Sequence, residues 1–184
     1  SKDGTRVPLL LVAKGGLERN GHRPVLLTAY GAYGNVRIPF YEPLASAWVQ
    51  NGGIYALASV RGGAELGEQW HVDGMLARKQ NSIDDLIAAA EWLVAERFTR
   101  PDRLAVQGAS AGGMLVAAAA MQRPELFGAV VSVNAHLDML RYHRFLQAAA
   151  WVTEFGNPDV ADEFAYLSKY SPYHQVREGV RYPA

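Results

Sequence analysis

A doubly wound, mostly parallel α/β sheet is the fold class this sequence predicts, and three observations carry the prediction. Short apolar runs alternate with helical patterns along the whole chain. The runs are largely continuous rather than alternating, as in strands covered on both faces. At one strand-to-helix junction a serine stands between glycines, in Gly108-Ala109-Ser110-Ala111-Gly112-Gly113.

Taken in order, Val7 to Ala13 and Pro24 to Tyr30 are predicted strands joined by the polar turn Lys14 to Arg23. A helical pattern covers Glu42 to Gln50, and a third strand covers Ile54 to Val60. A longer helix is expected from Ser82 to Arg97. Ser82 and Asp85 resemble a capping box, and Ile83, Leu86, Ile87, Ala90, Leu93 and Val94 keep a helical stripe. The fourth strand, Arg103 to Gln107, leads into the glycine-flanked serine. An alanine-rich helical run, Met114 to Met121, leads out and ends near Arg123-Pro124. Ala129 to Asn134 is the fifth strand. With no repeat, low-complexity tract or linker, residues 1–184 read as one domain.

Composition narrows the function. Apolar residues make up 49% of the chain, enough for a real core. Eighteen basic and eighteen acidic side chains cancel, so charge favours neither nucleic acid nor an anionic membrane as partner. The absence of cysteine rules out disulfides and thiolate metal sites. No His/Asp/Glu set has metal-ligand spacing, and nothing calls for a cofactor. No apolar run approaches membrane-spanning length. Compartment stays open between cytoplasm and periplasm.

A serine between glycines at a strand-to-helix turn is the nucleophile elbow of α/β-hydrolases. The turn is so tight that its neighbours must be nearly side-chain-free. It lifts the serine oxygen clear of the sheet and aims the first N–H groups of the new helix at the reacting carbonyl. The plainer reading of Ser110 is a helix cap, which the flanking glycines disfavour. A serine nucleophile also needs a base and an orienting acid, which follow the serine in this fold. The chain is therefore expected to be a hydrolase domain cut off before its Asp and His.

Further stretches carry a more specific resemblance. They are Ser1-Lys2-Asp3-Gly4-Thr5, Tyr30-Gly31-Ala32-Tyr33-Gly34, Val60-Arg61-Gly62-Gly63, and Glu65-Leu66-Gly67-Glu68-Gln69-Trp70-His71. Lys79-Gln80-Asn81, the elbow, Gln122-Arg123-Pro124-Glu125-Leu126-Phe127, Asp138-Met139-Leu140 and Tyr170-Ser171-Pro172-Tyr173 continue them in order. Together they resemble the catalytic domain of the prolyl oligopeptidase family of serine peptidases. The resemblance implies a partial α/β-hydrolase with about five of eight strands, its first strand and last two lacking, and a β-propeller that is absent here.

The same resemblance implies roles. Ser110 is the nucleophile, and the Ala111 N–H and the Tyr30 hydroxyl form the oxyanion hole. Tyr33, Trp151 and Phe155 line the pocket for the residue before the cut bond, with the Trp151 indole stacked on a proline ring. Tyr33 stands where the family commonly has phenylalanine and Phe155 where it has tyrosine, so both keep a ring but move a hydroxyl. Read from the residues alone, Tyr30 is a strand-end aromatic and Trp151 a core tryptophan. The implied partners are a peptide substrate, the propeller, and the C-terminal hydrolase segment of the same protein.

Other polar residues are set aside. His22, His71, His136, His143 and His174 read as surface or loop-packing histidines, although His136 aligns near the pocket. Asp138 belongs to a structural stretch, and Arg61-Gly62-Gly63 with Glu65 shapes a loop beside the site. Three functional readings stay open: a prolyl oligopeptidase, a sister oligopeptidase that cuts after basic residues using Glu154 or Glu163, and a non-catalytic interaction module. The isolated chain is expected to be inactive, with an exposed sheet edge beside Ala129 to Asn134.

Overall fold

Successive residues of a strand face opposite sides, and here both sides are covered. Val25, Leu27, Ile54, Ala56 and Ala58 enter a large core, while Leu26, Tyr55 and Leu57 enter a smaller one on the other face. The computed structural model describes all residues, 1–184. Its five strands, β1 (Leu9–Val12), β2 (Val25–Thr28), β3 (Ile54–Ala58), β4 (Leu104–Ala109) and β5 (Ala129–Val133), form one sheet in the order β1-β3-β2-β4-β5. All pairs are parallel except β1 with β3. Although β1 and β2 are joined by a polar turn, β3 lies between them.

Helix α1 (Pro43–Gln50) covers the smaller core with Ala45, Trp48 and Val49. Helices α3 (Lys79–Ala95) and α4 (Ala111–Gln122) cover the larger one. The short helix α2 (Glu68–Val72) precedes α3. Residues Ala111 to Ala120 of α4 are all buried, which is why its sequence is apolar all round. Fully buried aliphatic side chains such as Leu27, Ile54 and Leu115 each contribute roughly 1.5–3 kcal/mol.

Two expectations are corrected. The long helix begins at Lys79, three residues before Ser82, and no capping box forms. Ser82 is buried inside the helix, where its hydroxyl donates to the Gly74 carbonyl (3.1 Å). Asp85 accepts two hydrogen bonds from the Arg61 guanidinium and one from the Arg61 backbone. Both side chains serve tertiary contacts that mimic a cap's spacing. The outer strands also depart from two-sided burial. Exposed and covered residues alternate along β1, and Val131 and Val133 of β5 are 46% exposed. The outer edge of β5 is met only at Val130, whose N–H donates to the Ala184 carbonyl (2.8 Å).

After β5 the chain crosses the carboxyl end of the sheet in tight turns. It then forms α5 (Val152–Phe155) and α6 (Ala161–Tyr170). No helix is long and apolar enough to cross a membrane.

Candidate active site

The carboxyl ends of parallel strands are where open α/β sheets bind ligands, and Ser110 sits at the end of β4. Its backbone adopts φ 55° and ψ −123°, a left-handed conformation that costs a non-glycine residue of order 1–3 kcal/mol. Close packing enforces the bend. A Cβ on Gly108 would fall on the Gly112 carbonyl oxygen, and one on Gly112 would come within 2.7 Å of the Ala29 carbonyl. The Ser110 N–H donates to Val133 O of β5 (2.9 Å), which pins the turn to the neighbouring strand.

Ser110 occupies the N-cap position of α4, but its side chain makes no capping hydrogen bond. Ser110 instead lines a cavity of about 510 Å³ that it shares with His136, Trp151, Asn134 and Tyr142. Of six non-glycine residues with positive φ, Ser110, Asn134 and Leu146 line this cavity and Tyr33 lies close by. Such strain concentrates at functional sites. Ala111 is buried, and its N–H is among the first-turn donors that lack an acceptor within the helix.

Tyr30 follows β2 and packs against the first turn of α4: a Cβ on Gly112 would lie 3.4 Å from Tyr30 Cδ2. The rings then continue outward. Tyr30 and Tyr33 lie 6.5 Å apart by centroid, and Tyr33 meets Phe155 edge-on at 5.7 Å. His136 touches Trp151 (5.2 Å) and Phe155 (5.1 Å). Ser110, Trp151 and the Tyr30–Tyr33 turn thus converge. Phe155 departs from its expected position. It is fully buried and backs the wall, while His136 presents the surface in front of it. Tyr142 contributes to the cavity wall and is anchored there, its hydroxyl donating to Gly156 O (2.5 Å). Burial, with the Tyr30, Glu154 and Tyr142 groups nearby, pushes the Tyr33 phenol well above its usual range.

His136 is therefore part of the cavity wall rather than loop packing. Burial, helped by the Lys79 ammonium, lowers its pKa from 6.5 to about 4, so it is neutral at pH 7. No histidine of the chain hydrogen-bonds to Ser110. His71 is held by Glu154, His143 by Asp159, and His174 by Ser171. His22 lies near the amino end of β4, where its carbonyl accepts from Arg103. A second Ser/His/Asp grouping exists in Ser171, His174 and Asp138. Ser171 is fully buried and accepts the Met139 N–H, so it is closed to any substrate. Asp138 is paired with Arg141.

Two residues that sequence reasoning missed or misassigned lie beneath the pocket. The Lys79 ammonium is 0% exposed and donates to Gly31 O and to Glu154 Oε1, each at 2.8 Å. His71 Nε2 donates to Glu154 Oε2 (2.8 Å). Glu154 is thus buried with both oxygens engaged from within, which closes it to a substrate cation. Burial lowers the Lys79 pKa, and Glu154 opposes that shift. Glu163 accepts the Asn157 N–H. Arg61 is buried and tied to Asp85 and Asp3, and Gly62 O accepts the Gly34 N–H (3.0 Å), so this loop supports the Tyr33 turn. Only the Lys79-Gln80-Asn81 stretch marked Lys79, and nothing local paired it with Glu154, which the sequence offered only as a carboxylate for basic residues.

A family model described as "Prolyl oligopeptidase family" matches residues 41–184. The chain belongs to the prolyl oligopeptidase family. Relatives in this family include a prolyl endopeptidase of Elizabethkingia miricola, 39% identical over the whole of this chain and 26% of its own. An uncharacterised peptidase of Rickettsia prowazekii is 38% identical over the same shares. Among solved structures, one from a study of two prolyl endopeptidases superposes with a TM-score of 0.98. It is 48% identical over all of this chain and 27% of its own. A post-proline cleaving enzyme of Rickettsia typhi superposes at 0.96, with 38% identity over 98% of this chain and 26% of its own. The chain therefore spans about a quarter of the length of its family relatives. Its fold is the corresponding part of the family's α/β-hydrolase domain.

Proposed function

We propose that this chain carries the nucleophile, oxyanion hole and substrate pocket of a serine peptidase that cuts peptides after proline. The observation that supports this reading is a single cavity bordered by the strained, uncapped Ser110 and the Trp151 indole. Ser110 Oγ attacks the peptide carbonyl and forms an acyl-enzyme, which water then releases. The Ala111 N–H and the Tyr30 hydroxyl donate to the oxyanion. Proline has a fixed ring and no backbone N–H, so a flat aromatic slot formed by Trp151, His136 and Tyr33 suits it.

The base and acid come from outside residues 1–184, since His71, His143 and His174 are engaged elsewhere, His136 is packed among rings, and His22 lies by the amino end of β4, away from Ser110. The propeller and the C-terminal hydrolase segment that the family resemblance implies are the partners that complete the enzyme. Cleavage after basic residues fits less well, because Glu154 already holds Lys79 and His71. Steady-state kinetics of the full-length protein on matched proline and arginine peptides test the assignment. A larger kcat/KM for proline is expected, and faster arginine cleavage would overturn it. The purified 184-residue chain should leave both peptides intact.

A further inference from the structure

Lysine ammonium groups are strongly hydrated, and burying one is costly unless each N–H finds a partner. Lys79 makes two hydrogen bonds and one cation–π contact. One N–H goes to the Gly31 carbonyl, one to Glu154 Oε1, and the Phe155 ring face lies 5.2 Å away. Each partner belongs to a different part of the site. Gly31 directly follows Tyr30. Glu154 and Phe155 end α5, which Trp151 precedes. The second Glu154 oxygen accepts from His71, whose ring lies against Gly34 at the far end of the same turn. The Tyr30–Gly34 turn is thus gripped at both ends, although Tyr33 within it holds an unfavourable φ of 59°.

A methionine would fill the same space without a desolvation cost, so the charge is explained by what it fastens rather than by stability. We propose that Lys79 is a positioning residue that holds the Tyr30 hydroxyl at the oxyanion position by bridging Gly31 to Glu154. This assignment rests on the peptidase reading above. Lys79 touches no substrate and acts through Tyr30.

The test uses the full-length protein and a proline peptide. The double variant Lys79→Met/Glu154→Leu removes both charges, so neither is stranded. It is expected to melt within a few degrees of the parent, with kcat reduced roughly 10- to 100-fold and KM changed less than about three-fold. In a Tyr30→Phe background the same pair should cost less than about two-fold, because the donor it positions is already gone. Equal losses in both backgrounds, or a folded double variant with unchanged kcat, would overturn the proposal. If the double variant does not fold, Glu154→Gln keeps the volume and weakens the grip. It should lower kcat several-fold, again only when Tyr30 is present, and an equal loss without Tyr30 overturns the proposal. A parent protein that leaves proline peptides uncut refutes the peptidase reading itself, and Lys79 positioning with it.

Discussion

Ser110 owes its position to close backbone packing of the β4–α4 junction on itself and on the neighbouring strands, whereas the wall facing it is assembled from side chains of segments distant in the chain. In the elbow the contacts are glycine against carbonyl: Gly108 on Gly112, and Gly112 on Ala29. In the wall they are rings and a buried ion pair: Tyr33 and Phe155, His136 and Trp151, Lys79 and Glu154. Backbone contacts of this closeness admit almost no substitution, and they fix one atom against the helix N-terminus. Ring contacts tolerate exchange and set which side chain the pocket accepts. Damage to the elbow, or to the Lys79–Glu154 pair behind Tyr30, should therefore appear in kcat, and damage to the outer rings in KM.

Ser110→Ala removes the attacking oxygen while keeping the turn. Cleavage by the full-length protein should fall by about 10⁴-fold or more, with substrate binding retained. Measurable turnover near the parent rate would show that the elbow serves only packing. Tyr30→Phe deletes one hydroxyl from the side of the site nearest the elbow. A drop in kcat of about 10²- to 10³-fold with little change in KM is expected. If KM rises instead, Tyr30 belongs to the wall and the division drawn above is misplaced.

Trp151→Ala should do the reverse, raising KM for proline peptides by about ten-fold with a smaller loss in kcat. The smallest effect concerns pH. His136 has a folded pKa near 4 and an unperturbed value of 6.5, because burial disfavours its charged form. The unfolded chain therefore takes up a proton first as pH falls. The stability from keeping His136 neutral is fully present above pH 6.5 and is lost progressively between 6.5 and 4. His136→Phe should flatten that part of a melting-temperature profile by a few degrees. An unchanged slope would place the acid sensitivity elsewhere.

Much of the fold was legible in the residues. All five predicted strands occur, four of them shortened and β4 running on to Ala109, and Met114 to Met121 lies within α4. The elbow was legible because its requirement is local: neighbouring residues must lack side chains, and the glycines say so directly. Ser82 and Asp85 misled for a physical reason. A serine three residues before an acid suits a helix cap, but it suits two buried tertiary hydrogen bonds equally well. Phe155 was placed on the pocket surface and lies behind it, because sequence cannot tell a lining ring from a backing one. His136 took the front position for the same reason.

Composition and spacing by themselves determined a parallel sheet with a serine at its carboxyl edge, since apolar runs, helix periods and glycines act over a few residues. Only the tertiary structure decided that Lys79 and Glu154 neutralise each other under the pocket, and that His136 faces the cavity. Burial and charge pairing depend on residues far apart in the chain, and no local pattern records which of them meet.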